Sequence, residues 1–283
     1  MLATPIGNLR DITLRALDVL SAVDLIAAED TRVTRHLLSH YGLSAKIVSL
    51  REHNEVREAV RLVTLMQQGQ SIALVTDAGT PGVSDPGSVF VNKARSGGVK
   101  VWPIPGPSAA ICALSVLGWE STEFLFQGFL PSQKRARVRV LQELKTLPYK
   151  LVFYESPHRI LETLRDMAEC FGPQRKAGVF RELTKKFEES KIASLSEVLT
   201  WMLEHEDHQR GEFVLIVEGG QEKAAPYALT PERVLALLCE KLPTKDAVRL
   251  AADITGGRRN ELYRMALKLK SLAHEHVNEQ GGK

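Results

Sequence analysis

Hydrophobic residues up to about residue 117 alternate between two patterns. Runs that are apolar throughout are typical of strands buried on both faces, whereas apolar residues three positions apart, as at Leu14, Leu17 and Leu20, are typical of helices. Alternation of the two patterns predicts βαβ units and a parallel sheet. The predicted strands are 25–28, 47–50, 71–75 and 99–104, and further helices are predicted at 34–41 and 56–68.

A second α/β unit is predicted from about residue 120, where apolar runs resume with hairpin-like neighbours. A stretch rich in Gly, Ala and Pro then predicts a linker, and helix-start signals at Pro231, Thr244 and Arg258 predict a small helical module. The predicted division is an N-terminal parallel-sheet domain at 1–118, a mixed-sheet domain at 119–220, a linker at 221–229 and a C-terminal helical module at 230–283.

Loops rich in glycine and proline follow the predicted strands. Residues 76–87 contain three glycines and two prolines in twelve positions, together with several polar side chains. Similar loops occur at 4–8 and 105–108. One such loop is as consistent with a rigid turn as with a ligand site. Since ligands bind beyond the carboxyl ends of parallel strands, three such loops predict one shared pocket.

Composition and charge narrow the function classes. The chain has 283 residues, 44% of them hydrophobic and 25% charged, as in folded proteins with more than one domain. No apolar stretch approaches the roughly 18 residues that span a bilayer, and charges appear by Arg10 and Asp11. We therefore expect a cytoplasmic protein without membrane contact. The spacing of three cysteines and eight histidines predicts neither a disulfide nor a metal site.

Six motifs, in order along almost the whole chain, carry a family resemblance. The sequence resembles the ribosomal RNA small-subunit methyltransferase I family of the tetrapyrrole-methylase superfamily. The resemblance implies a two-domain tetrapyrrole-methylase-like fold, S-adenosylmethionine as donor, and transfer to the 2'-hydroxyl of a cytidine in small-subunit ribosomal RNA. The motifs are ATPIGNLRDITLRAL (3–17), AAEDTRVTRHLL (27–38), DAGTPGVSDPG (77–87), PIPGPSAA (103–110), FYESPHR (153–159) and RELTK (181–185).

The resemblance and the loop pattern together indicate a donor site. No G-x-G-x-x-G follows a strand, which disfavours the Rossmann type of donor site. The backbones of the loops at 77–85 and 107–109 are expected to hold the donor, and the loop at 5–7 is expected to close one side of the site. The resemblance implies that residues of the second domain also approach the donor. The expected donor-binding residues are Pro5, Gly7, Asp77, Ala78, Gly79, Thr80, Val83, Ser84, Asp85, Pro107, Ser108, Ala109, Phe126, Gly128, Tyr154 and Glu155.

Glu29, Asp30 and Arg32 lie just past a predicted strand and form the main catalytic candidate. Either carboxylate could accept a proton and Arg32 could contact a phosphate, but a helix cap with an ion pair is an equal alternative. Glu155 leaves the same two alternatives open. The predicted catalytic residues are Asp30, Arg32 and Glu155, with His53 and His158 as minor candidates.

Basic residues cluster between positions 131 and 150, a segment that contains six basic residues and one acidic residue. Such a cluster suits RNA but also occurs on solvated helices. A turn at residues 256–260 carries two further arginines at a helix start, which suits phosphate. The alternative for the C-terminal module is a structural cap. The expected RNA contacts are Lys134, Arg135, Arg181, Arg258 and Arg259.

Three functions remain open at this point. The leading hypothesis is an RNA 2'-O-methyltransferase acting on small-subunit ribosomal RNA or the assembled particle. A methyltransferase for a small tetrapyrrole-like substrate is disfavoured by the helical module, which a small substrate does not require. A non-catalytic RNA-binding protein of ribosome assembly is the third. The resemblance also implies a homodimer.

Overall fold

A three-stranded parallel sheet forms the first half of the chain, with strand order β2-β1-β3. Its strands are short and apolar because helices cover both faces. The strands are β1 (Leu25–Ala28), β2 (Ile47–Ser49) and β3 (Ile72–Val75). The helices are α1 (Leu14–Ala22), α2 (Thr31–His40), α3 (Glu55–Gln67), α4 (Ser88–Ser96) and α5 (Ala109–Val116).

The computed structural model describes residues 1–51, 54–220, 231–239 and 241–267. It separates into two compact units, 1–221 and 222–283, each described by itself below. Both sheets lie in the first unit, one within 1–118 and the other within 119–220. The linker predicted at 221–229 and the candidate His53 fall outside the described residues.

The strand predicted at 99–104 is wrong. Only Ile104 of this segment pairs, through an isolated parallel bridge to Leu2. Residues 1–3 run between β3 and Ile104, where Leu2 N donates to Leu74 O at 2.9 Å and Ile104 N donates to the Met1 carbonyl at 2.8 Å. A strand needs a partner along its length, and these three residues provide one only at its end.

A five-stranded mixed sheet forms the second half, with strand order β4-β5-β8-β6-β7. β4 and β5 are parallel, whereas the other neighbours are antiparallel. The strands are β4 (Phe124–Phe129), β5 (Lys150–Glu155), β6 (Lys176–Arg181), β7 (Glu189–Ser194) and β8 (Phe213–Val217). The helices are α6 (Lys134–Leu144), α7 (Ile160–Phe171) and α8 (Leu195–Glu204).

These sheets confirm the predicted α/β class, with a parallel sheet first and a mixed sheet second. Short 3₁₀ turns at Leu9–Asp11 and Glu206–Gln209 complete the first unit. No helix among the described residues is both long and apolar enough to cross a membrane.

The second unit contains α9 (Pro231–Cys239), α10 (Thr244–Thr255) and a helical segment at 259–267. Buried Leu235, Ala251 and Leu262 form part of a small apolar core that all three segments share. Gly256 ends α10 with φ of 70°, a left-handed conformation that glycine adopts without strain. A short glycine turn between two packed helices is the arrangement of a helix-turn-helix motif.

Candidate functional site

A cavity of about 320 Å³ lies within the first unit, where loops of the parallel sheet meet strand ends of the mixed sheet. This volume is in the range of small-molecule sites. The predicted convergence of loops is observed here, since both the 78–85 and the 108–109 loops line it. The parallel-sheet half contributes Ile6, Ala78, Gly79, Thr80, Val83, Ser84, Asp85, Ser108 and Ala109.

Gly79 holds the first of these loops against the chain start. It exchanges two backbone hydrogen bonds with Thr4, at 2.9 and 3.1 Å. Its φ of 81° lies in the left-handed region, and a Cβ there would approach Ile6 Cγ2 at 3.4 Å and the Pro107 carbonyl at 3.7 Å. The Thr80 hydroxyl donates to that same carbonyl at 3.1 Å. The three predicted loops are therefore joined at Gly79 and Thr80.

The mixed sheet supplies an aromatic wall. β4, β5 and β6 end at the cavity and β8 begins there, which brings Phe129, Tyr154, Phe180 and Phe213 to its lining. The Ala110 amide donates to the Tyr154 hydroxyl at 3.2 Å, so the two halves are directly bonded. Burial raises the pKa of Tyr154 above its usual value.

A strained loop after β6 closes the remaining side. Glu182 and Thr184 have φ of 52° and 64°, which L residues rarely adopt. Lys185 lines the cavity and donates to the carboxylates of Glu182 (2.8 Å) and Glu212 (2.6 Å). Strain of this kind persists only where the surroundings fix it, and it concentrates at functional sites.

The first loop packs directly on this strained loop. The Asn8 amide donates to Thr184 Oγ1 at 3.0 Å. A Cβ at Gly7 would lie 2.5 Å from Lys185 Cγ and 2.9 Å from the Leu183 carbonyl. Gly7 therefore allows the close approach of two backbones that encloses the cavity.

Three carboxylates, those of Glu29, Asp77 and Asp85, lie together at the 76–87 loop. The Asp77 amide donates weakly to Glu29 Oε2 at 3.4 Å, and Asp85 lines the cavity. Burial raises the pKa of Glu29, and the charges of Asp77 and Asp85 raise it further. Burial likewise raises the pKa of Asp85. A raised pKa makes each of these carboxylates a stronger proton acceptor than a fully solvated one.

Asp30 has the opposite electrostatic environment. It caps α2 by accepting from the Arg32 amide at 2.8 Å, and its carboxylate also pairs with the Arg32 guanidinium. The side-chain hydrogen bond from Arg32 holds the pKa of Asp30 far below its usual range. Arg51, at 3.8 Å, adds a second positive charge. Asp30 is therefore a weak proton acceptor that remains ionised.

The other predicted donor residues lie just behind the cavity wall. Pro5 is buried, and the Asp77 carboxylate accepts from the Asp30 amide at 2.9 Å. Phe126 packs edge-on against Tyr154, with ring centroids 5.0 Å apart. The Pro107 carbonyl accepts a hydrogen bond from the lining residue Thr80. Gly128 lies beside the lining residue Ser84.

Glu155, predicted to be catalytic and to bind the donor, is held by neighbouring residues. Its side chain is fully buried, although the residue borders the cavity. The carboxylate accepts from the Ser156 amide (2.8 Å), Arg159 (2.7 Å) and the Thr163 hydroxyl (2.7 Å). With both oxygens occupied, Glu155 ties the end of β5 to α7.

Arg181, a predicted RNA contact, is buried, with only 8% of the residue exposed. Its guanidinium pairs with Glu189 at 3.3 Å. Lys134 and Arg135 are exposed on α6, although Lys134 pairs with Asp166 at 3.3 Å. His158 lies on the loop after β5 and does not line the cavity.

Arg258 and Arg259, in the second unit, have exposed side chains as the sequence predicted. Each forms only a surface ion pair, Arg258 with Glu261 at 3.8 Å and Arg259 with Asp253 at 3.2 Å. Exposed pairs of this kind are weak and can exchange their partner for a phosphate.

Sequence reasoning missed much of the wall formed by the mixed sheet. Of the RELTK motif (181–185), the sequence predicts a role for Arg181 alone, whereas Leu183 and Lys185 line the cavity. The strand-end rule applied to β6 and β8 would have indicated this region. The lining residues that the sequence does not indicate are Phe129, Pro157, Phe180, Leu183, Lys185, Glu212, Phe213 and Val214.

Two family models match the sequence. Residues 1–199 match the Tetrapyrrole (Corrin/Porphyrin) Methylases, and residues 228–270 match the RsmI C-terminal HTH domain. The chain is 48% identical to ribosomal RNA small subunit methyltransferase I of Escherichia coli O157:H7, over 94% of this chain and 93% of that protein. It is 48% identical to the protein of the same name from Xylella fastidiosa, over 93% and 96% of the two chains.

Solved structures agree on the fold. A uroporphyrin-III-C-methyltransferase from Thermus thermophilus superposes with a TM-score of 0.54 at 20% identity, covering 77% of this chain and 92% of that one. A diphthine synthase superposes with a TM-score of 0.59 at 15% identity, covering 77% and 88%. At these identities the likeness concerns the fold alone.

Proposed function

The chain belongs to the ribosomal RNA small subunit methyltransferase I family of the tetrapyrrole methylases, and we propose that it methylates a cytidine 2'-hydroxyl in small-subunit ribosomal RNA. The observation that carries this proposal is the cavity between the glycine loops and the aromatic wall. S-adenosylmethionine supplies, when bound, a methyl group on a positively charged sulfur.

The residues of the cavity fit this donor. Gly79 leaves the loop backbone accessible because no Cβ stands between it and the cavity residue Ile6. Tyr154 and Phe213 offer apolar and aromatic surface for an adenine ring. Asp85 adds a carboxylate to the lining, and the positively charged sulfur of a bound donor would favour its ionised form despite burial.

Transfer to a hydroxyl also requires that a proton be taken up. Among the residues near the donor loop, we assign this step to Glu29, whose raised pKa suits a proton acceptor. Asp30 remains ionised and orients Arg32, which is exposed and can contact a phosphate of the acceptor strand. Positioning of the hydroxyl by these groups supplies a large part of the rate.

The partners follow from this substrate. The second unit docks the enzyme on the small ribosomal subunit through the turn that carries Arg258 and Arg259. The protein acts in the cytoplasm, where its target is located. The protein acts as a homodimer, as its superfamily resemblance implies, so that two copies present their surfaces to one large particle. Light scattering at micromolar concentration tests this point, and a monomer would contradict it.

Methyl transfer from labelled S-adenosylmethionine to small ribosomal subunits tests the function. The subunits come from cells that lack this protein, and digestion to nucleosides should locate the label on 2'-O-methylcytidine. Label on a small tetrapyrrole instead would support the first alternative. Absence of donor binding by calorimetry would support a non-catalytic assembly protein and overturn the proposal.

A further inference from the structure

The exposed face of α2 has an unusual charge pattern. Residues 31–41 contain two arginines and two histidines but no acid. Arg32, Arg35 and His36 lie on the exposed side, while Thr34 and Leu37 are buried. Arg32 lies in the first turn, where a positive charge opposes the helix dipole. The chain thus keeps a cation at a position that helix stability disfavours.

Both ends of α2 are bonded to loops that form the donor cavity. At the start, the Asp30 amide donates to Asp77 Oδ1 at 2.9 Å, and Asp77 immediately precedes the lining residue Ala78. At the other end, the Tyr41 hydroxyl donates to the Leu9 carbonyl at 2.6 Å. Leu9 belongs to the 3₁₀ turn that follows the loop at Ile6. The helix therefore lies beside the cavity.

The arginines on this surface are largely without acidic partners. Arg10, in the same 3₁₀ turn, and Arg35 are exposed, and neither forms an ion pair within the described parts of the chain. Arg32 and Arg51 share the single carboxylate of Asp30. An excess of positive charge next to a methyl-transfer site is complementary to a phosphate backbone.

The basic helix α6 makes a weaker candidate, although its sequence carries more charge. Arg137 is 1% exposed and pairs with Asp166 at 2.7 Å. Lys134 also pairs with Asp166, and Arg139 lies 3.9 Å from Glu143. Most of the positive charge on α6 is thus compensated within the protein.

We propose that Arg10, Arg32, Arg35, His36 and Arg51 form the surface that binds the ribosomal RNA strand on its way to the donor cavity. The helix rises about 1.5 Å per residue, so Arg35 lies about 4.5 Å beyond Arg32 along its axis. Residues three apart lie on the same side of a helix, so Arg32 and Arg35 can both contact the backbone of one strand. The inference rests on the proposed function.

The test compares double variants that each remove two arginines. In Arg10→Ala/Arg35→Ala, binding to unmethylated small ribosomal subunits should weaken about tenfold, and the slope of log K against log salt should fall by about 1.4. Binding of S-adenosylmethionine by calorimetry should not change. Arg95→Ala/Arg165→Ala, on exposed positions of α4 and α7, is the matched control and should behave as the wild type.

The possible results distinguish failure of the proposed RNA-binding surface from failure of the proposed function. An unchanged salt slope in the Arg10→Ala/Arg35→Ala variant, or an equal loss in the control, would overturn the surface. A larger loss in Arg135→Ala/Arg139→Ala would assign the strand to α6 instead. If the wild-type protein neither binds nor methylates the particle, the proposed function itself fails.

Discussion

Replacing Gly79 by valine should abolish binding of the methyl donor while leaving the protein folded. The strain can be estimated from the backbone, because φ at Gly79 is 81° and a β-branched residue there costs about 1–3 kcal/mol. A Cβ would already touch Ile6 and Pro107, at 3.4 and 3.7 Å, so the valine methyl groups must occupy space in or beside the cavity. Overpacking adds about 1–3 kcal/mol.

Gly42 provides a matched control. Its φ of 65° imposes the same kind of strain, but a Cβ there meets nothing within 4 Å, and Gly42 is not among the residues that line the cavity. Gly42→Val should therefore lower the free energy of unfolding by about 1–3 kcal/mol without affecting donor binding. Comparison of the two variants separates backbone strain from occupation of the site.

Isothermal titration calorimetry with S-adenosylmethionine measures the difference. Gly79→Val should weaken binding by more than about 100-fold, or about 2.8 kcal/mol, whereas Gly42→Val should match the wild type. Circular dichroism checks that both variants fold at the assay temperature. Wild-type affinity in folded Gly79→Val would refute the assignment of this cavity to the donor. An equal loss in both variants would attribute the effect to stability.

Other predictions follow from the same contacts. Glu29→Gln should lower the methylation rate by about 100-fold, and the wild-type rate should fall as pH drops through the raised pKa of Glu29, a limb that the variant lacks in a pH–rate profile. Asp166→Asn removes the closer of the two carboxylates that pair with buried Arg137 and should cost about 3–5 kcal/mol in urea unfolding, with donor affinity retained. Arg258→Ala/Arg259→Ala should weaken particle binding and lower its salt dependence by up to about two phosphate contacts, with donor affinity as the control.

The parallel sheet could be predicted because its strands are apolar throughout. Helices cover both faces of this sheet, so every position of β1 and β3 is apolar. The continuous apolar runs at Leu25–Ala28 and Ile72–Val75 are therefore visible in the sequence. The sequence does not predict β7 (Glu189–Ser194), because its residues are mostly polar and the strand forms an edge of the mixed sheet. The apolar segment 99–104 predicts a strand just as clearly. Strand formation also requires a neighbouring strand along its length, which the local pattern does not reveal.

The site could be predicted only where its residues share a local signal. The loops at 78–85 and 108–109 contain glycine and proline after apolar runs, which is visible in sequence. The wall around Lys185 arises from long-range contacts, with Glu212 and with the loop at Gly7, and no spacing rule connects these positions. Charge density was misleading for a related reason, since buried Asp166 neutralises α6 from another helix.

Glu29 and Asp30 illustrate why neighbouring carboxylates cannot be assigned roles from sequence. Asp30 caps α2, and the helix then presents Arg32 to its carboxylate, so the charged form is stabilised. Glu29 is partly removed from solvent and faces Asp77 and Asp85, so the protonated form is favoured. The two groups are separated by one peptide bond but differ in their surroundings because the chain changes from strand to helix between them. On these grounds we propose Glu29 rather than Asp30 for proton uptake, and Asp30 for the orientation of Arg32.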